Sequence, residues 1–437
     1  MTSTAEDLRH VRPARQRLSI ALALAVTVPA LVLRIGSTTL DHPFEAVFFG
    51  AAIVGAAFLL SWAAETAQLD ISAGLAIAVL ALIAVLPEYA VDFVFSGKAG
   101  HAVAKYGSAC LPGGSTDASP CSLALANMTG SNRLLIGIGW SMVVFVAWWQ
   151  WRKRGRRDVE VTLERSHSVE LAFLAVATAY SLTLPFRHTI TLVDAALLVG
   201  LFAAYTWRIA RGPAEEPHLV GPARYVGTFS TAARRAAVVA MLVFSAGVIL
   251  LCAERFAEAL VGTGAELGVS EFLLVQWLAP LASEAPELLV AGLYAYRLNT
   301  NAGLATLVSA KVNQWTLLVG SLPIVFAISS STHHGLPIDA AQREELLLTA
   351  AQSVFAVAIL ANLSISTREA LALFSLFWAQ FILGAAIPGS AHGAERVVVS
   401  VVYLLLAAGI LLRDRRRLPH LLHDGFRVSH ADLRSSA

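Results

Sequence analysis

About 12 apolar stretches follow one another along this chain, each close to the roughly 20 residues that a helix needs to cross a bilayer. They read as about 18–36, 44–66, 71–96, 122–149, 168–185, 189–208, 236–256, 270–296, 302–327, 345–365, 369–388 and 395–412. Of the 437 residues only 14% are charged, against about 25% in a soluble domain. The chain is therefore expected to be an all-α integral membrane protein. Arg9, Arg12, Arg15 and Arg17 precede the first run, and no small-residue cleavage site follows it. That run reads as a retained first helix.

Basic residues orient the helices. The tail before residue 18, the segment Arg152-Lys153-Arg154-Gly155-Arg156-Arg157, the connection from Arg208 to Arg235 and the tail from Arg413 are all rich in Arg. With an even number of helices they fall on one face, the cytoplasm. Both termini are then cytoplasmic, and the expected location is the plasma (inner) membrane. The opposite loops carry only Lys98 and Lys105, then Arg187, Arg343 and Arg396. Cys110 and Cys121 flank the Gly/Ser/Pro-rich stretch Leu111–Pro120 on that outer side, where a disulfide is plausible. Cys252 reads as a small apolar filler inside a helix.

Two of the apolar segments carry a Pro-Glu pair, Pro87-Glu88 and Pro286-Glu287. A carboxylate at membrane depth costs about 2.5 kcal/mol even on lenient scales, and such a group normally lines an ion or proton path. Each proline removes an N–H one turn on, so the carbonyls of Ile83 and Ala282 lose their helical donors. Pro280 does the same to Gln276. Unbonded carbonyls beside a carboxylate form a hard oxygen set suited to Ca²⁺ or Na⁺. By the charge rule, the Glu88 helix runs outward and the Glu287 helix runs inward. Opposed copies of one motif indicate an inverted-topology repeat, with a site where the repeats meet. The expected organisation is a basic tail and extra helix over 1–43, repeats over 44–208 and 236–388, and a basic linker over 209–235. An extra helix with a basic tail occupies 389–437.

Each Pro-Glu helix is followed by one rich in small and amide side chains. The first contains Asn127-Met128-Thr129-Gly130-Ser131-Asn132-Arg133 and the second Ser309-Ala310-Lys311-Val312-Asn313-Gln314-Trp315-Thr316. Glu88 precedes Asn132 by 44 residues and Glu287 precedes Asn313 by 26, the excess falling in the cysteine-bearing loop. These residues resemble the cation/Ca²⁺ exchanger superfamily, which includes the sodium/calcium and proton/calcium exchangers. In that family each five-helix repeat carries Gly-Thr-Ser-Leu-Pro-Glu and then Gly-Asn-x-x-Gly-Ser-Asn-Ile-Phe-Asn. The resemblance implies that Glu88 and Glu287 coordinate the transported cation. By position it adds Ser131, Asn132, Ser283 and Asn313 to the expected ligand set. Thr316, which replaces the polar residue ending the second motif, and the carbonyls of Ile83 and Ala282, freed by the prolines, complete that set.

The departures from the family pattern point toward proton coupling. Ile83, Ala84 and Val85 replace Gly, Thr and Ser, Glu284 replaces Ser, and Leu135 replaces the terminal amide. Lys311 and Val312 replace a Gly-Ser pair. Asp92 lies one turn beyond Glu88, on the same face. The central set becomes Glu88, Asp92, Glu284 and Glu287, with Lys311 and Arg133 compensating charge. Lys311 would stand in for one cation by pairing with Glu284 or Glu287, and Arg133 would snorkel or pair with Asp92. Clustered carboxylates raise one another's proton affinity.

The expected function is a secondary cation antiporter working by alternating access, exchanging Ca²⁺ or another cation for H⁺. The alternatives are a Na⁺-coupled exchanger and a non-transporting relative with a locked site. No cofactor, nucleic acid or enzymatic site is expected, since no nucleophile–base pair, P-loop or zinc-ligand run is present. The partners are inorganic cations and the bilayer, and oligomeric state is not given. Asp194, Glu65 and Asp70 read as interfacial. Glu254, Arg255 and Glu258 read as a charged helix end, and His333-His334 as a loop pair.

Overall fold

The computed structural model describes residues 13–36, 38–70, 86–107, 110–111, 118–155, 160–211, 219, 221–386, 392–429 and 432–433, without the side chains of 385 and 386. Ile83, Ala84 and Val85 lie outside these residues, as do Arg9, Arg12, Arg156 and Arg157.

Among the described residues the architecture is predominantly helical. In chain order α1 is Pro13–Ile35, α2 His42–Ala67, α3 Leu86–Tyr106, α4 Pro120–Leu134 and α5 Ser141–Lys153. Next come α6 Ser168–Ser181, α7 Leu192–Ala210, α8 Pro222–Gly227, α9 Thr231–Leu267 and α10 Glu271–Tyr296. The rest are α11 Thr300–Asn313, α12 Val319–Ser330, α13 Ala340–Leu360, α14 Thr367–Ala386, α15 His392–Arg413 and α16 Arg417–Arg427. Among the described residues eight helical segments are long and apolar enough to cross a membrane. Two small antiparallel ladders accompany the helices. Strand β1 (Glu160–Thr162) pairs with β4 (Ser364–Ser366), and β2 (Thr189–Ile190) with β3 (Leu336–Pro337).

Helix ends follow local chemistry. Ser119 caps α4 by accepting from the Ser122 N–H at 3.0 Å, and Pro120 takes the first position, where no N–H is needed. Asp339 and Gln342 form a reciprocal capping box at the start of α13. Gly268 ends α9 in the left-handed conformation, at φ 64°.

The chain divides into two compact units, residues 1–94 with 209–286 and residues 95–208 with 287–437. In the first unit α1 and α9 pack along α2 through small residues. A Cβ on Gly50 would lie 2.8 Å from the Phe256 ring, and one on Gly55 2.6 Å from the Ala23 carbonyl. Arg234 and Arg235 stand in the first turns of α9, not in a linker, and both bind Asp70. Glu254, Arg255 and Glu258 are not a helix end. The helix runs 37 residues, so they lie in its interior, and Glu254 pairs with Arg34 at 3.4 Å. Cys252 is buried.

In the second unit, every residue of α4 from Cys121 to Leu134 is buried. Cys110 and Cys121 are joined in a disulfide. Asp194, in the first turn of α7, is fully buried, and its carboxylate accepts from Tyr180, Arg187 and the Thr191 backbone N–H. The tail beyond α15 is not featureless. In α16 the leucine face turns inward, Leu421 is buried, and Asp424 accepts from Arg165 at 2.8 Å.

Candidate functional site

Of the residues singled out in the sequence, Glu88, Asp92, Ser283 and Glu284 belong to the first unit. Glu88 and Asp92 lie in the opening turns of α3, 5% and 0% exposed, spaced to share one helix face. Between them Tyr89 is buried and meets Phe93 edge-on at 5.5 Å. In α10, Ser283 and Glu284 are buried between Pro280 and Pro286. The Ser283 hydroxyl donates back to the Ala279 and Pro280 carbonyls at 3.1 and 3.3 Å, which leaves its oxygen lone pairs available. Pro286 has no N–H to offer the Ala282 carbonyl.

Glu287, half-buried on α10, belongs to the second unit, which also holds two motif helices of matching construction. Each is interrupted just after its motif amide by a π turn, Leu135–Trp140 after α4 and Gln314–Leu318 after α11. Helix α5 continues from the first and α12 from the second. A π turn bonds i to i+5 and is common at functional sites. Where the ladder changes register, a carbonyl can accept from a side chain. The Asn132 carbonyl does so: Lys311 Nζ donates to it at 2.5 Å and to Asn132 Oδ1 at 2.7 Å. The Asn132 side-chain nitrogen in turn donates to the Met128 carbonyl at 2.9 Å.

Lys311 is fully buried, and its ammonium lies 5.3 Å from the Trp315 ring centre. One residue earlier, Ser131 Oγ accepts from Gln314 Nε2 at 2.8 Å. The structure therefore ties Ser131 and Asn132 of one motif to Gln314 and Lys311 of the other. Thr316 turns its hydroxyl to the Val312 carbonyl at 2.6 Å, and Asn313 is buried at the helix end. Asn127 is buried with neither amide atom hydrogen-bonded among the described residues. A buried amide in that condition calls for water or an ion.

Arg133 points away from this arrangement. Its guanidinium, 2% exposed, donates to Glu345 Oε2 of α13 at 2.8 Å and to Gln380 of α14. Gln352 Nε2 reaches the Arg133 carbonyl at 3.4 Å. The expected snorkelling is absent, because a buried acid stands within reach. Sequence reasoning missed Glu345, Gln314 and Gln380. Glu345 stands near the start of an otherwise apolar helix, and an Arg in a fully buried motif helix requires a buried counter-charge of this kind.

In chemical terms the motif helices of the second unit present hydroxyl, amide and carbonyl oxygens at α-to-π junctions. Hard oxygen donors of this kind bind and release group 1 and group 2 cations. Among the described residues no three His, Cys, Asp or Glu side chains cluster as a metal site.

Comparison with known proteins gives the same direction. The family model described as sodium/calcium exchanger protein matches residues 44–210 and 237–384. A solved H⁺/Ca²⁺ exchanger, CAX, is 39% identical, with a TM-score of 0.85, covering 97% of this chain and 100% of that one. Native YfkE shares the fold at a TM-score of 0.57 and 14% identity, covering 89% of this chain and 100% of that one. A selenium-substituted Ca²⁺/H⁺ antiporter YfkE gives 0.53 and 14%, covering 91% and 99%. No curated protein gives a significant match. Its membrane helices, its oxygen-rich motif pair and the match over both segments show that the chain belongs to the sodium/calcium exchanger protein family, a family of membrane cation antiporters.

Proposed function

We propose that this protein exchanges Ca²⁺ for H⁺ across the plasma (inner) membrane, with both termini in the cytoplasm. Residues 44–208 and 236–388 act as two inverted repeats of a 12-helix layout, and the motifs alternate access to one cation site. Glu88 and Glu287 ligate the cation, with Glu284, Asp92, Ser131, Asn132, Ser283, Asn313, Thr316 and the carbonyls of Ile83 and Ala282 completing the oxygen set. The observation that carries the choice of ions is the Lys311 ammonium on two oxygens of Asn132. A resident positive charge on a motif amide takes up coordination that a Na⁺-driven exchanger would give to an ion. Similarity to an H⁺/Ca²⁺ exchanger over nearly the full length supports the same pair.

The test is Ca²⁺ flux in reconstituted vesicles under an imposed pH gradient, with and without Na⁺. Uptake driven by the pH gradient in Na⁺-free buffer is expected, with loss on Glu88→Gln or Glu287→Gln. Exchange that requires Na⁺ and ignores the pH gradient would overturn the reading. Absence of any flux would favour a site locked by Lys311.

A further inference from the structure

Beyond residue 384, where the family match ends, α15 carries a buried acid that the exchange motifs do not use. Glu395 lies in its first turn and is 8% exposed, and neither carboxyl oxygen has a hydrogen-bond partner among the described residues. Its surroundings are strongly charged. Arg396, the next residue, donates to Glu345 Oε1 at 2.8 Å and lies 3.5 Å from Glu344. Glu345 gives its other oxygen to Arg133 at 2.8 Å. The packing is close, since a Cβ on Gly393 would lie 2.4 Å from the Glu344 carboxylate. The groups that act on Glu395 are Arg133 of α4, Glu345 of α13, and His392 and Arg396 of α15. Helix α14 also packs on α15, and it holds Gln380, which accepts from Arg133.

Two contacts link the groups around it: Arg396 holds Glu345, and Glu345 holds Arg133. In sequence, Glu395 precedes Arg396, and Arg133 follows Asn132, the residue that binds Lys311. Burial without a hydrogen bond penalises the ionised carboxylate. The two guanidiniums favour it, and Glu345 opposes it.

We propose that Glu395 is a proton-binding site, separate from the Pro-Glu carboxylates, whose charge is relayed through Arg396 and Glu345 to Arg133 and so to the Asn132 end of the motif helix. Loading the site releases Arg396 toward Glu345, and unloading it draws Arg396 away. The rate of cation exchange then responds to pH on the side where α15 begins. This depends on the proposed exchange activity only for its flux readout.

Two measurements test it on the full chain. The first is pH-difference infrared spectroscopy of purified protein, which needs no transport. A carboxylic C=O band that appears with acid should be lost in Glu395→Gln and shifted in Glu395→Asp. The second is Ca²⁺ flux in vesicles across a pH series. Glu395→Gln, fixed in the neutral form, should lose one limb of the parent's pH profile, and Glu395→Asp should retain it. An infrared difference spectrum unchanged in Glu395→Gln would overturn the proton site. A band that disappears while the flux profile superposes on the parent's would overturn the relay. Failure of the Ca²⁺/H⁺ reading alone would abolish flux in the parent and leave the band intact.

Discussion

The ion pair between Arg133 and Glu345 sets a measurable stability cost. Both oxygens of Glu345 are committed, one to Arg133 Nη1 and one to Arg396 Nε, each at 2.8 Å. Side-chain exposure is 2% for Arg133, 4% for Glu345 and 14% for Arg396. In Glu345→Leu, Arg133 keeps its charge and burial and retains Gln380 as a neutral acceptor. Breaking a buried pair from one side costs about 3–5 kcal/mol, mostly because the remaining charge is uncompensated. Arg396 adds less, since Glu344 already lies 3.5 Å from it. The double variant Arg133→Met with Glu345→Leu removes both buried charges and should be less destabilised than Glu345→Leu alone. A well-packed apolar replacement for a buried pair is often neutral or better. Equilibrium unfolding in mixed micelles, for the parent, both single variants and the double, closes the cycle. A Glu345→Leu loss below about 1 kcal/mol would refute the reasoning, as would a double variant destabilised by the sum of the singles.

Other expectations are read directly from contacts. Cys121→Ser opens a loop of sequence separation 11 and should cost up to about 3 kcal/mol on a chain-entropy basis. Reductant added to the parent should lower its melting temperature to that of the variant. The Arg234 guanidinium bonded to Asp70, helped by Arg235, holds that carboxyl below its usual range. A depressed folded pKa gives stability that is complete above the unfolded value of about 4 and is lost as pH falls through the lower folded value. Asp70→Asn should therefore melt lower than the parent at neutral pH and converge with it in strong acid, as a melting series across pH would show. Gly425→Val places a side chain where a Cβ would lie 2.3 Å from Ala172 and 2.5 Å from the Ser168 carbonyl. Hydrogen exchange should show loss of protection confined to α16 and its contact on α6. Lys311→Met should weaken pH-driven Ca²⁺ uptake and make flux sensitive to added Na⁺, read in the vesicle assay.

Much of the helix layout was legible because hydrophobic length is a local property. The apolar runs near 122–149 and 302–327 coincide with α4 through α5 and with α11 through α12. The π turns within them were not legible. A π turn depends on what the freed carbonyls meet, and Lys311 meets Asn132 across 179 positions of sequence. The partner of Arg133 was hidden for the same reason, at a separation of 212. Glu254 was misread as marking a helix end because charge in an apolar helix usually does, whereas Arg34 pairs with it there. Helix α16 was overlooked because Pro419 and Gly425 obscure a short amphipathic period. Gly425 is used instead for close approach to α6, where any side chain would collide.

Lys311 and Arg133 entered as one class, positive charges set against an acidic site, and the structure separates them. An Arg presents a planar fork suited to a carboxylate and a flat amide, and Arg133 takes both in Glu345 and Gln380. A Lys ammonium is a compact point charge with three donors, close in character to a small hydrated cation. Lys311 takes two oxygens of a single residue, a carbonyl and an amide, as a bound cation would. An Arg at 311 would need room for its fork that a fully buried position beside Trp315 does not offer. The two substitutions in the family pattern therefore act at different places. Arg133 braces the motif helix from behind through α13 and α14, and Lys311 fills oxygen coordination on its front. A change in ion coupling is expected from position 311, and a change in stability from position 133.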